Sequence, residues 1–269
     1  MSAISRHVLL PTRRCARALS TSGCPVGWGG AAVRALSLGE KTIHIRQHFF
    51  DKPIPQPRSG PRRADLTGMK IWPVSLRLLN KLCDASDDRL GVDALLRHRG
   101  GEGPLRVLEL GSGVGLLGIG LATRRSDVSV LLTDPGVAVH FEDGASNTME
   151  WLSANVAANR DGSGGRASSQ QLLWGCDEHI EAIRRLGPFD LILGSDLLYD
   201  PDQYAALRAT LDALLVSPNS TAILGFTSRM GTETRFLDLA AQRFSVDNVW
   251  HPSTADGASL WASTVIRPS

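Results

Sequence analysis

The chain has 269 residues, 42% of them hydrophobic, which suits one large α/β domain with extensions and is enough for a core. The net charge of +2 hides two opposite parts: residues 1–70 hold 12 Lys and Arg against three acids (Glu40, Asp51, Asp65), and the remainder holds 17 bases against 24 acids. An acidic body argues against nucleic acid as the main partner, because phosphate binding needs a basic face; with no apolar run near the roughly 18 residues of a membrane span, no membrane partner is expected either.

Residues 1–39 contain no Asp or Glu but carry Arg6, Arg13, Arg14, Arg17 and Arg34 among Ser and Ala. This composition fits an organelle transit leader, with mitochondrial targeting, or else a disordered basic tail on a cytoplasmic protein. Cys15, Cys24, Cys83 and Cys176 form no C-x-x-C or His/Cys spacing, so reduced thiols, no metal and an intracellular compartment are expected.

Residues 40–104 read as an N-terminal extension. A strand is predicted over 42–50, a Pro- and Arg-rich linker over 52–64, and a helix beginning near Pro73 with Leu76, Leu78, Leu79 and Leu82 on its apolar side. From residue 105 to 269 short apolar runs alternate with helical stretches. Strands are predicted at 105–110, 128–134, 168–174, 189–196, 220–226, 244–250 and 260–266. Helices are predicted at about 115–124, 147–159, 178–186, 202–216 and 232–241. Such alternation gives a doubly wound, mostly parallel α/β sheet of seven strands. The short Gly- and Pro-bearing link before the last strand cannot hold a helical crossover, so that strand should insert antiparallel. No exposed apolar seam is evident, and a monomer is expected. The stretch Asp161-Gly-Ser-Gly-Gly165 reads as a flexible surface link.

The chemistry concentrates where the first core strand meets its loop, Glu109-Leu-Gly111-Ser112-Gly113-Val-Gly115. Glycines at this position let the backbone turn sharply and let a ligand approach without Cβ in the way. The next strand ends at Asp134, where a carboxylate can accept hydrogen bonds from ribose hydroxyls. A dinucleotide fingerprint would place its third glycine at position 116, and that residue is Leu116. The loop therefore turns away from nicotinamide cofactors and toward a different nucleoside ligand.

Further pieces follow in a fixed order: Ile43-x-Ile45-x-Gln47, Gly68-x-x-x-Trp72-Pro73, the loop at 109–118, Thr133-Asp134, Asn155-x-x-x-Asn159, Leu172-x-Trp174-Gly175, and Phe189-Asp-x-Ile-Leu-x-Ser195-Asp196-x-x-Tyr199. This ordered set, over residues 42–266, resembles methyltransferase family 16, the seven-strand protein-lysine methyltransferases. The resemblance implies a Rossmann-like class I methyltransferase fold, S-adenosyl-L-methionine as cofactor and a protein substrate presenting a lysine. It implies that Trp72 and Trp174 flank the cofactor, Trp174 near the adenine. Glu109 and the loop amides of Gly111, Ser112, Gly113 and Gly115 would hold the amino-acid end, Asp134 the ribose, and Ser195 would bring backbone close. Asp196 and Tyr199 would be the catalytic pair, the carboxylate holding an incoming ammonium and the ring walling the lysine stem. The alternatives are a small-molecule N- or O-methyltransferase, or a non-catalytic module on the same fold. One departure stands out: several extra residues follow Asp134 and carry His140, Glu142 and Asp143 into a loop expected beside the adenosine.

Overall fold

A computed structural model describes residues 31–48, 66–84, 92–98, 103–141, 144–228, 231–251 and 261–268. The chain opens with an antiparallel hairpin, β1 (Ala31–Leu38) and β2 (Lys41–His48), closed by a two-residue turn at Gly39 and Glu40. Gly39 has φ 72°, the positive value that such tight turns require. Leu36, Leu38, Ile43 and Ile45 point to one side and are buried. Residues 31–38, read from composition as the end of the basic leader, are therefore a strand, because the Leu36/Leu38 alternation supplies an apolar face. Residues 1–30, where the rest of that leader falls, lie outside the described residues, as does the Pro- and Arg-rich stretch 52–64.

A short 3₁₀ turn at Leu66–Met69 leads into α1 (Pro73–Leu82), which has proline at its first position and buries Val74, Leu78, Leu79 and Leu82. A short α2 (Val92–His98) follows. The core then runs β3 (Leu105–Leu110), α3 (Leu116–Arg124) and β4 (Val128–Asp134). The residues inserted after Asp134 form a small ribbon of β5 (Ala138–Phe141) and β6 (Gly144–Asn147); Glu142 and Asp143 are outside the described residues. Next come α4 (Thr148–Ala158), α5 (Arg160–Ser163) and β7 (Ala167–Gln171). The stretch expected to be a flexible link is thus a helical turn with Ser163 fully buried and Gly164 closing it at φ 61°. The remainder is α6 (Asp177–Arg184), β8 (Leu191–Ser195), α7 (Tyr204–Leu214), β9 (Thr221–Thr227), α8 (Glu233–Ala241), β10 (Phe244–His251) and β11 (Trp261–Pro268).

Seven strands form the main sheet in the order β10-β11-β9-β8-β3-β4-β7. β7, β4, β3, β8 and β9 run parallel, and β11 sits antiparallel between β9 and β10, as its short connection requires. From β3 the chain winds outward to β4 and β7, then returns to β8 on the other side of β3. The switch point therefore lies between β3 and β8, where open sheets place their ligands. Strand alternation splits the apolar residues into two cores. Val107, Leu191 and Leu193 pack with α1, α3 and the hairpin, while Leu108, Ile192 and Leu224 pack with α6, α7 and α8.

The hairpin is held to α4 by two asparagines one helical turn apart. Asn159 accepts from the His44 amide and donates to the His44 carbonyl, both at 2.8 Å. Asn155 accepts from the Arg46 amide at 2.8 Å, and donates to the Arg46 carbonyl at 3.0 Å and to the Val114 carbonyl at 2.9 Å. Two amide side chains thus stand in for a neighbouring strand along β2, and Asn155 extends the grip to the glycine loop.

Candidate active site at the carboxyl ends of the strands

The loop after β3 is locked to the end of β4 by a reciprocal pair of bonds. The Ser112 amide donates to the Thr133 carbonyl at 2.8 Å, and the Thr133 amide donates to the Ser112 hydroxyl at 3.1 Å. Gly111, Gly113 and Gly115 all have positive φ, at 57°, 53° and 86°. The space around them is also tight. A Cβ on Gly113 would lie 2.8 Å from the Gly68 carbonyl oxygen, and one on Gly111 would lie 2.7 Å from Leu197 Cδ2 and 3.3 Å from the Trp174 ring. All three glycines are required by conformation, Gly113 also by the approach of the Gly68 backbone, and Gly111 by the side chains packed against it.

Asp134 is buried beneath this loop and accepts from the Gly113 amide at 3.0 Å, from the Gly136 amide at 3.3 Å and from the Thr148 hydroxyl. Glu109 is also buried, but its carboxyl does not face the loop amides. It accepts from the Gly118 amide of α3 at 3.0 Å, and a Cβ on Gly118 would fall 2.5 Å from its oxygen. Burial pushes its pKa from the usual 4.5 up to about 8, with the neighbouring Asp134 adding to the rise against hydrogen bonds from Ser112 and Gly118. Glu109 thus braces strand, loop and helix from below.

Trp174 follows β7 and rests against Gly111. Its indole Nε1–H is buried with no hydrogen-bond partner among the described residues. Such a donor costs free energy unless something supplies an acceptor. An orphaned indole donor beside a glycine loop and a buried acid fits a polar nucleoside, and the residues present suit one.

The far wall comes from the end of β8. Asp196 has φ 59°, the left-handed region that Asp tolerates better than most side chains, and its amide donates to the Gly225 carbonyl at 2.7 Å. This twist turns the chain sharply, so that Leu197 fits a notch between Gly111 and Gly194, where it would meet any added Cβ. The buried Tyr204 hydroxyl donates to the Leu198 carbonyl at 3.0 Å and fixes the next peptide. Tyr199 then emerges 48% exposed, with its hydroxyl 3.3 Å from Thr67 Oγ1. Trp72 donates from Nε1 to the Thr67 carbonyl at 2.9 Å, and Lys70 lies 5.2 Å over its ring. Ser195, half-buried, ends β8 in register with Gly225.

The structure therefore brings Gly111–Gly115, Asp134 and Trp174 together, sets Asp196 and Tyr199 beside them through Leu197, and ties Trp72 to Tyr199 through Thr67. The residue-type pattern does not announce Thr67, Thr148 or Leu197, whose contacts span distant parts of the chain, and it marks Gly68 only as the start of Gly68-x-x-x-Trp72-Pro73. Gly194 and Gly111 at the ends of adjacent strands are the one local signal for the Leu197 notch. Among the described residues, no cluster of three His, Cys, Asp or Glu side chains could hold a metal, and no helix is long and apolar enough to cross a membrane.

The glycine loop and strand-end acid are common to nucleoside-binding α/β folds, and the seven-strand order with β11 inserted antiparallel between β9 and β10 is the class I methyltransferase arrangement. Residues 62–243 match the model of the lysine methyltransferase family, and the chain belongs to that family. It is 34% identical over 152 residues to Protein N-lysine methyltransferase METTL21A of Danio rerio, covering 56% of this chain and 62% of that one. It is 35% identical over 144 residues to EEF1A lysine methyltransferase 3 of Mus musculus, covering 53% and 54%. The match thus spans somewhat more than half the length of these curated relatives. An O-methyltransferase of Bacillus cereus in complex with SAH aligns with TM-score 0.43 and 17% identity over 73% of this chain and 92% of that one, which is too distant to carry an argument. S-adenosyl-L-methionine is the cofactor that the family indicates.

Proposed function

We propose that this chain transfers a methyl group from S-adenosyl-L-methionine to the ε-amine of a lysine on a protein. The observation that carries the reading is the meeting, at one switch point, of a nucleoside-type site with the Asp196–Tyr199 turn, in a chain of the lysine methyltransferase family. Asp134 would take the ribose, Trp174 would lie by the adenine and meet an acceptor with its indole donor, and the glycine loop, whose Ser112, Gly113 and Gly115 amides donate within the protein, would pack its Cβ-free backbone against the amino-acid end. Trp72 and the backbone at Ser195 would close the sides. Glu109, engaged with Gly118, would support the loop rather than touch the ligand.

When bound, the cofactor supplies an electrophilic sulfonium methyl, so the protein needs little acid–base machinery of its own. Its task is to align the amine and keep it in place. The Asp196 carboxylate at the mouth would hold the ammonium and orient the nitrogen as it loses its proton. The Tyr199 ring would wall the lysine stem and favour cationic character through its π face. Tyr199, half-exposed at the end of the turn, can meet a macromolecular surface, which favours a protein acceptor over a small molecule.

Methyl-labelled cofactor incubated with this chain and a cell lysate tests the reading. Label in one or a few protein bands is expected; label confined to the small-molecule fraction would instead assign a small-molecule acceptor. For residues 1–30 we propose an organelle leader, and import into isolated mitochondria with and without them decides it: equal import of both forms would make them a plain tail.

A further inference from the structure

The residues inserted after Asp134 do more than lengthen a loop. The ribbon of β5 and β6 delivers the chain to Asn147, whose side chain accepts from the Glu150 amide at 2.9 Å and caps α4. The first helical residue, Thr148, is then 1% exposed and faces inward. Every polar group it presents is engaged. Its amide donates to the Val137 carbonyl at 3.1 Å, and the Val137 amide donates to its hydroxyl oxygen at 3.1 Å. With its oxygen taken as acceptor, the hydroxyl has one proton to direct, and that proton goes to Asp134 Oδ1. Its methyl meets the Gly68 backbone, since a Cβ on Gly68 would lie 3.0 Å from Thr148 Cγ2, and Gly68 in turn abuts Gly113.

Asp134 is thus oriented from two sides. The Gly113 amide of the cofactor loop holds Oδ2, and the inserted ribbon, through Thr148, holds Oδ1. The Gly136 amide also donates to Oδ1, at the longer distance of 3.3 Å, so removing the Thr148 hydroxyl loosens the carboxylate's orientation on the side where its hold is weakest. A hydrogen bond to a charged group contributes more than a neutral one, and in a buried site the loss is felt fully.

We infer that Thr148 is a positioning residue for the nucleoside, acting through the Asp134 carboxylate and supplied by the inserted ribbon. The inference rests on the proposal that Asp134 takes the ribose.

Calorimetry with S-adenosylhomocysteine on the full chain tests it. Thr148→Val keeps shape and methyl but removes the hydroxyl, both donor to Asp134 and acceptor from Val137, and should weaken binding about tenfold or more. Thr148→Ser keeps the hydroxyl and should bind within about threefold of the parent. In turnover assays Thr148→Val should raise KM for the methyl donor while kcat at saturation stays within about twofold. The pair Asp134→Ala and Thr148→Val should be non-additive, the double variant binding no more weakly than Asp134→Ala alone. Circular dichroism melts confirm folding, and Thr148→Ala replaces the valine variant if that one does not fold. Parent-like affinity in the hydroxyl-free variant, or full additivity with Asp134→Ala, would overturn the inference while leaving the ribose assignment intact. Parent-like affinity in Asp134→Ala would overturn the ribose assignment and the inference together.

Discussion

The loop after β3 and the turn after β8 stand side by side at the switch point, yet they are built in opposite ways. The loop after β3 is buried, and its polar atoms are satisfied from within: Ser112 by Thr133, Gly113 by Asp134, Glu109 by Gly118. It depends on glycines because all three have positive φ and, at Gly113, backbone meets backbone. The turn after β8 begins with a strained, buried Asp196 and ends with a half-exposed Tyr199. On the proposed function the first would hold a donor of constant shape, and the second would offer the Asp196 carboxylate and the half-exposed Tyr199 ring to the acceptor. Such a division is what a group-transfer enzyme needs when its donor is invariant and its acceptor is a surface.

Substitutions that touch one side and spare the other can break this contrast. Asp196→Asn keeps a side chain that tolerates positive φ and removes the charge. It should lower kcat/KM for methyl transfer about a thousandfold while cofactor affinity, read by calorimetry, stays within about threefold. Matching losses in both measurements would show that the turn belongs to the cofactor site. Gly113→Ala should act the other way. At φ 53°, with Gly68 carbonyl oxygen 2.8 Å from the new Cβ, it should cost about 2–4 kcal/mol in chemical denaturation and weaken cofactor binding. An unchanged denaturation midpoint would mean that the Gly68–Gly113 approach is not obligatory.

Asn159→Ala probes whether the N-terminal hairpin supports the loop from a distance. It leaves the His44 amide and carbonyl without their side-chain partner and should cost about 1–2 kcal/mol, with β2 amides losing hydrogen-exchange protection first. Uniform loss of protection across the domain would show that hairpin and core unfold as one unit.

A further test is a pH dependence. Glu109 has a folded pKa of about 8 against an ordinary 4.5, so the folded protein keeps a proton that the unfolded chain releases. The stability held below about pH 4.5 should therefore fall as pH rises toward about 8. Glu109→Gln stays neutral and can still accept from Gly118. Its melting temperature should exceed the parent's by about 5 °C at pH 8 and converge with it near pH 4.5, as thermal melts would show. Parallel curves across that window would contradict the protonated state.

Much of this architecture is legible in the residues because its signals are local. The apolar run 105–110, the three glycines and Asp134 lie within 30 residues, and the short link before the last strand is enough to turn it antiparallel. What escapes the sequence is either masked by composition or carried by distant partners. β1 hides its Leu36/Leu38 alternation among Arg, Ser and Ala, and each strand of the inserted ribbon is only four residues long. Asn155 and Asn159 are visible as a spacing, but their meaning lies more than 100 residues away, on the backbone of β2. Glu109 is visible as an acid before a glycine loop. Only the packed structure shows its carboxyl accepting from the Gly118 amide of α3. Thr148 is one more threonine until Asp134 and Val137 are seen around it.

The central claim is that the nitrogen methylated by this site is a lysine ε-amine on a protein. Tandem mass spectrometry of the lysate protein that acquires isotope-labelled methyl from the cofactor tests it most directly, with Asp196→Asn as the control. Labelled methyl is expected on a lysine side chain of that protein and is expected to be absent with the Asp196→Asn variant. Label on another residue type or on a small molecule, or labelling undiminished in the variant, would contradict it.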